Sequence, residues 1–334
     1  MKLITVKDNE AEQRLDKFLA KYMDKAPKSF FYKMLRKKNI TLNKKKADGS
    51  ERLRTGDEIR LFLSDETIES FSSPPAGIGR QKLPACLRPR ILYEDAHILL
   101  MNKPAGLLSQ KAKPEDVSLV EYLISYLLES GQLKEEDLRS FRPGICNRLD
   151  RNTSGLVAAG KSLAGLQAMN ELIRSGSLRK FYRCIAAGEI EEPKRIEGWL
   201  KKDEKTNQAA IYEKEERDSL FILTEYLPLE ILHLGGNTYT YLEVHLITGR
   251  SHQIRAHLAS MGHPLIGDRK YGDARVNEYF SNHFGLHHQL LHAFRLEFPQ
   301  VEGILKPLSN RQCIAPLPSE FQKICGQKLG SKTI

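Results

Sequence analysis

One acidic residue stands where its neighbours could make it reactive. The run Gly144-Ile-Cys-Asn-Arg-Leu-Asp-Arg-Asn-Thr-Ser-Gly155 places Asp150 between Arg148 and Arg151. Asn152-Thr-Ser-Gly155 reads as a tight turn and Leu156-Val-Ala-Ala159 as the strand after it. A carboxylate on such a turn is held by a rigid element, and nearby cations favour its ionised form. In that form it can act as a general base or a nucleophile. Spacing alone favours a plainer account, an ion pair in a loop, because Asp is common in turns. His252 and His257 are five apart, poor spacing for a shared metal on one helix face, and no carboxylate completes a set. No Cys-x-x-Cys pair occurs among Cys86, Cys146, Cys184, Cys313 and Cys325, which speaks against zinc. No Gly-x-Gly-x-x-Gly loop is present either. Neither a metal nor a cofactor is expected.

The elements that must hold Asp150 belong to a chain of 334 residues, long enough for one small and one large domain. Composition is that of a globular protein, 40% hydrophobic and 28% charged. No apolar run approaches membrane-spanning length, and Met1–Glu10 lacks a signal-peptide core. Five scattered cysteines suit a reducing cytoplasm. Net charge is +10, which suits a polyanionic partner. Its distribution says more. Residues 25–46 carry Lys25, Lys28, Lys33, Arg36, Lys37, Lys38, Lys44, Lys45 and Lys46 with no acidic residue between them. A one-sign block of this kind favours phosphate contacts over a merely solvated face.

Around that block, Leu15, Phe18, Leu19 and Tyr22 fall at helical spacing. Pro27-Lys-Ser29 opens a second helix, with Ser29 as a cap, and Phe30, Phe31, Met34 and Leu35 form its apolar side. Short strands follow at Ile40–Leu42 and Ile59–Leu63, separated by turn signals. The matching residues Arg14-Leu-Asp-Lys-Phe-Leu19, Leu35-Arg-Lys-Lys-Asn-Ile40, Leu42-Asn-Lys44 and Gly56-Asp-Glu-Ile59 resemble the S4 RNA-binding domain. The resemblance implies a grip on structured RNA by shape and phosphate. Residues 1–66 are assigned to this module. Residues 67–87, with Ser70, Ser72, Ser73 and Pro74-Pro-Ala-Gly77, are read as a linker that lets it move. The larger domain is expected over 88–325.

In that domain, Asn147-Arg-Leu-Asp-Arg-Asn-Thr-Ser-Gly-Leu156 resembles the signature of the RluA-type pseudouridine synthases, with Asn147 where His is usual. Three further stretches agree in order: Tyr93-Glu-Asp95 with Asn102-Lys-Pro-Ala-Gly106, Lys180-Phe-Tyr-Arg183, and Thr248-Gly-Arg-Ser-His-Gln-Ile-Arg255 followed by Gly262-His-Pro-Leu-Ile-Gly-Asp268. Ser109-Gln-Lys111 departs from the Val-His-Pro-like run of many members. The resemblance implies isomerisation of uridine to pseudouridine in RNA, without any cofactor. It implies Asp150 as the catalytic residue, Arg255 as its ion-pair partner and Tyr182 as an active-site wall against the uracil face. Arg148 would prop the space left by the flipped base or contact phosphate. Ser251 is read as the cap of a helix whose buried stripe is Ile254, Leu258 and Met261.

The expected fold is α+β: a small S4-like module and a larger domain around a central, mostly antiparallel mixed sheet. RNA-binding residues are expected at Arg148, Lys33, Arg36, Lys37, Lys38, Lys44, Lys45 and Lys46. The implied partner is 23S-type rRNA or a pre-ribosomal particle, with tRNA and a non-catalytic assembly role as the alternatives. No membrane partner is expected, and the chain is read as a monomer.

Overall fold

The computed structural model describes residues 1–72, 83–203, 206 and 208–326. The N-terminal part contains β1 (Lys2–Thr5), α1 (Leu15–Tyr22), α2 (Lys28–Arg36), β2 (Ile40–Leu42), β3 (Lys45–Lys46), β4 (Glu58–Leu61) and α3 (Asp65–Phe71). Its four strands pair antiparallel in the order β1-β4-β2-β3. Leu15, Phe18 and Leu19 recur every three or four residues and so share one face of α1. With Phe31 and Leu35 of α2 they bury against Ile40, Ile59 and Leu61 of the sheet. Pro27 holds the cap position of α2, so Ser29 lies inside the helix rather than capping it.

The opening of the expected linker is folded. Ser64 accepts a hydrogen bond from the Thr67 amide at the start of α3, and Asp65 and Glu66 complement the helix dipole. Ile68 joins the module's core, and the Ser72 hydroxyl donates to the Tyr22 and Ile68 carbonyls. Residues 73–82 of the expected linker lie outside the described residues. Where freedom of the module was expected, direct contacts occur. Lys7 Nζ lies 2.6 Å from Asp137 Oδ1, and the buried Glu10 carboxylate accepts from the Ser140 hydroxyl.

The larger part runs β5 (Arg90–Glu94), β6 (Ile98–Lys103), α4 (Leu119–Glu129), β7 (Gly144–Ile145), β8 (Ser154–Gly160), α5 (Leu163–Arg174), β9 (Arg179–Ala187), β10 (Lys194–Asp203), β11 (Gln208–Tyr212), β12 (Leu220–Leu234), β13 (Asn237–Leu246), α6 (Gln253–Ser260), α7 (Ala274–Phe284), β14 (Leu291–Glu297), β15 (Gln312–Ile314) and α8 (Ser319–Cys325). The strands form one sheet in the order β11-β10-β12-β13-β9-β14-β8-β6-β5, with β15 on β14 and β7 on β8. All pairs are antiparallel except β14 with β8. β8 is buried along its whole length, which accounts for its unbroken small-apolar sequence. Gly155 cannot be replaced there: its φ is +111°, and a Cβ would sit 2.2 Å from the Ala293 carbonyl oxygen of β14.

By letters alone, Gly155-Leu-Val-Ala-Ala-Gly-Lys-Ser162 fits the phosphate-loop pattern of nucleotide-binding proteins. The fold removes that meaning. The segment is strand rather than loop, Lys161 pairs with Glu94 at 2.7 Å, and the Ser162 hydroxyl caps α5 through Gly165. No described helix is long and apolar enough to cross a membrane.

Candidate active site

Three chain segments meet at the middle of the large sheet. Asp150 lies on the turn between β7 and β8, which Thr153 closes by donating its amide to the Asp150 carbonyl at 3.1 Å. The turn is fixed from three sides. Asn147 accepts from the Ala158 amide at 2.8 Å and donates to the Leu156 carbonyl at 3.2 Å, so its side-chain amide pairs with β8 as a strand backbone would. The buried Ser109 hydroxyl donates to the Leu149 carbonyl at 2.6 Å and accepts from the Leu149 amide at 3.0 Å. Lys103, wholly buried at the end of β6, donates to the carbonyls of Pro104, Leu107 and Arg151 at 2.8–2.9 Å. Burial pushes the Lys103 amine down to about 7, opposed by the charge of Asp150. Three carbonyl acceptors match the three protons of an ammonium, and a neutral amine offers only two. The bonding therefore fits a protonated lysine under the turn.

The carboxylate of Asp150 is bound from one side. Arg255, on α6, donates Nη1 to Asp150 Oδ2 at 2.7 Å. The same guanidinium is gripped from behind by Asp268, through Nε at 2.7 Å and Nη2 at 2.9 Å. This bidentate clamp fixes the plane of the guanidinium and hence the direction in which Nη1 points. Asp268 is itself completely buried and accepts the Lys270 and Tyr271 amides. Burial pushes its carboxyl up, but the Arg255 hydrogen bonds and charge outweigh that and hold it below the usual range. Burial works against the Arg255 charge, and Asp268 and Asp150 together overcome it, so the arginine is held more firmly charged than usual. His252 Nε2 approaches the same Oδ2 atom at 3.8 Å. Among the described residues no partner falls on Oδ1, and the side chain keeps 27% of its exposure. One oxygen is anchored and the other is open.

Tyr182 projects from β9 on the same side, opposite Val244 and Ala293 on the flanking strands. Burial pushes its phenol up, and the Asp150 charge adds to that, so it stays protonated. α6 is seated by Ile254, Ala256 and Leu258. Gln253 locks the preceding turn, donating to the Leu223 carbonyl and Thr224 hydroxyl and accepting from the Arg250 amide. Two expectations for this helix change. His252, not Ser251, occupies the cap position, in a left-handed conformation. Met261 is 36% exposed, outside the buried stripe, because the helix ends at Ser260 and Gly262 turns the chain away.

Arg148 and Arg151, the sequence neighbours of Asp150, are both exposed. The partner of the carboxylate is the distant Arg255 instead. Lys33, Arg36, Lys37, Lys38, Lys44, Lys45 and Lys46 are also all exposed. They lie on α2, just after it, and on the β2–β3 hairpin, well separated in sequence from the Asp150 cluster. Asn43 and Lys44 both have positive φ, 51° and 62°, as a two-residue type I′ hairpin requires. Glycine would be at ease at the second position, yet a lysine holds it, and its charge stands at the tip.

These geometries can be set beside known proteins. Residues 97–260 match the model of the RNA pseudouridylate synthase family, and residues 13–59 that of the S4 domain. The ribosomal large subunit pseudouridine synthase C of Salmonella typhimurium is 30% identical over 331 residues, spanning 95% of this chain and 97% of that one. The chain belongs to the RluA-type pseudouridine synthases. It is thus an enzyme that isomerises uridine to pseudouridine in RNA. The synthase of the same name from Escherichia coli is 31% identical over 305 residues, covering 89% of this chain and 88% of its own. Among solved structures, human RNA pseudouridylate synthase domain containing 1 superposes with a TM-score of 0.52 at 20% identity, covering 74% of this synthase and 98% of that chain. That likeness supports the fold.

Sequence reasoning named Asp150, Arg255 and Tyr182, and the structure brings Asp150 and Arg255 into contact with Tyr182 beside them. It passed over Asp268, Lys103 and Ser109. The signal for Asp268 was available, since it closes the Gly262–Asp268 motif. Among the described residues no cluster of His, Cys, Asp and Glu could hold a metal ion.

Proposed function

We propose that this synthase modifies large-subunit ribosomal RNA and that Asp150 is its catalytic carboxylate. The observation that carries the reading is the one-sided anchoring of Asp150: Arg255 binds Oδ2 at 2.7 Å while Oδ1 has no partner among the described residues. An oxygen so presented can attack C1′ of the target nucleotide or remove the C2′ proton, and both routes need an ionised carboxylate. The N1–C1′ bond breaks, the uracil turns, and C5 bonds to C1′, so no atom is gained or lost. Arg255 orients the carboxylate, and its own place is held by Asp268. Tyr182 supplies a flat, protonated wall against the base.

The target uridine must leave its stack, at a cost of about a few kcal/mol. Arg148, exposed and two residues from Asp150, props the vacated space or holds the adjoining phosphate on this reading. The lysines of α2 and the β2–β3 hairpin hold the RNA backbone without reading its sequence. The large-subunit assignment is supported by the full-length likeness to relatives named for that substrate. The test is pseudouridine mapping of total RNA from cells with and without the gene, complemented by wild type or Asp150→Asn. Expected is the loss of one or more large-subunit rRNA sites, restored by wild type and not by the variant. Loss confined to tRNA would overturn the substrate, and restoration by Asp150→Asn would overturn the carboxylate's role.

A further inference from the structure

His252 stands beside Asp150 without a task in the reaction as described. Its backbone is left-handed, with φ 58°, a conformation uncommon for a residue with a Cβ. The ring lies inward, with its side chain 11% exposed. Nε2 faces Asp150 Oδ2 at 3.8 Å, and Nδ1 lies 2.9 Å from the Tyr271 hydroxyl. The two rings meet edge to face, with centroids 5.7 Å apart, and Arg255 lies over the Tyr271 ring. The Tyr271 hydroxyl has a second neighbour, the Ala209 amide of β11 at 2.7 Å.

These contacts fix the protons. The Ala209 amide can only donate, so the Tyr271 oxygen accepts from it. The hydroxyl has a single proton, and burial holds the phenol above its usual pKa, so that proton stays on. Nδ1 of His252 is the acceptor within reach. If Nδ1 carried its own proton, the phenol proton would be left without a partner. Burial pushes the His252 imidazole down, helped by Arg255, Lys270 and Lys202, against the pull of Asp150, so the ring is neutral. Its one proton then sits on Nε2, aimed at the carboxylate.

We propose that His252 is a positioning residue for Asp150, held by Tyr271 in the tautomer that presents Nε2–H to the anchored oxygen. This rests on the reading of Asp150 as the catalytic carboxylate. At 3.8 Å the contact is longer than a hydrogen bond, and a shift of about 1 Å as the carboxylate engages the sugar completes one. Arg255 and His252 then share Oδ2, and Oδ1 alone points to the substrate. The cap position of α6 therefore serves the site: a left-handed residue at the helix start directs a proton to the carboxylate that the same helix anchors through Arg255.

The test uses full-length protein labelled with 15N-histidine. Long-range 1H–15N spectra without RNA should show His252 as the Nε2–H tautomer. Tyr271→Phe should abolish that preference, and Asp150→Asn should move the Nε2 resonance. Single-turnover rates are then measured on an in vitro transcript of large-subunit rRNA. His252→Gln, whose amide reaches the Nε2 position, should keep most of the rate. His252→Phe, which keeps a ring and loses the donor, should lose about tenfold in rate with RNA affinity unchanged. An Nδ1–H tautomer in wild type, or His252→Phe at the wild-type rate, would overturn the proposal. The spectra need no activity, so they judge the tautomer even if Asp150→Asn proves active and the carboxylate reading fails.

Discussion

The two cationic regions of this synthase are built on opposite plans. At the Asp150 turn every cation that matters has an assigned acceptor. Arg255 divides its donors between Asp268 and Asp150, and Lys103 spends its protons on three carbonyls. On the S4 face the lysines of α2 and the β2–β3 hairpin are exposed, and among the described residues none joins an ion pair. A partnered, buried charge has one geometry and directs chemistry. An unpartnered, solvated charge has many geometries and attracts a polyanion without dictating its sequence. On the proposed reading the difference separates catalysis from capture, and each half can be broken alone.

The largest effect is expected where the partnering is tightest. Asp268→Ala removes the clamp and leaves the Arg255 Nε and Nη2 donors buried without an acceptor. Breaking one side of a buried pair costs about 3–5 kcal/mol, and the freed guanidinium no longer directs Nη1 at Asp150. Urea unfolding should show that loss, together with a collapse of turnover at saturating RNA. A variant with wild-type stability would mean that the clamp is not what holds Arg255.

Acid should distinguish the two regions next. All ten histidines lie beyond residue 96, so the S4 module contains none. His292 on β14 is fully buried, bonded to Ser154 on one side and to the Ala315 carbonyl on the other. Burial pushes it from 6.5 down to about 4, against a smaller opposing pull from the Ala315 carbonyl. A depressed histidine binds its proton more readily in the unfolded chain. Its contribution is therefore complete above pH 6.5 and is lost as pH falls toward 4, by roughly 3 kcal/mol. In His292→Asn the slope of unfolding free energy against pH should shrink by up to about one proton across that window. An unchanged slope would place the protonation of His292 elsewhere.

How much of this contrast could be read in the chain depended on distance. The one-sign block at 25–46 is contiguous, so the S4 face was visible from charge alone. Asp150, Tyr182 and Arg255 sit in motifs, and the resemblance joined them across more than a hundred residues. What stayed hidden were contacts that no periodicity reports. Asp268 meets Arg255 across 13 positions and a helix end. Ser109 meets Leu149 across 40. Lys103 stood in the sequence only as a member of the Asn102–Gly106 motif and proved to be the support under the turn. The neighbouring arginines are exposed and leave the carboxylate to Arg255, since adjacency in a turn does not make two side chains face each other.

The S4 half of the comparison is sharpened by charge removal. Lys44→Gln, Lys45→Gln and Lys46→Gln together should weaken binding of structured RNA by about tenfold at fixed moderate salt. The slope of log affinity against log salt should fall by roughly 2–3, at about 0.7–0.9 per phosphate contact. Stability and the single-turnover rate at saturating RNA should not change, because no partner is orphaned. A reduced rate at saturation would mean that the hairpin also orients the substrate, and the separation of capture from catalysis would fail.

The smallest effect tests whether the turn needs every support. Ser109 is 4% exposed and satisfies both backbone groups of Leu149, the residue before Asp150. Ser109→Ala leaves a buried carbonyl and a buried amide unpaired while adding no volume, a loss of about 2 kcal/mol. Asn147 and Lys103 still hold the neighbouring backbone, so the turn should loosen at Leu149 rather than unfold. Asp150 then samples positions in which Oδ1 is misdirected, and turnover should fall a few-fold with RNA affinity intact. If stability falls as expected while turnover stays at the wild-type level, Arg255 alone aims the carboxylate, and the wall at Ser109 supports only the fold.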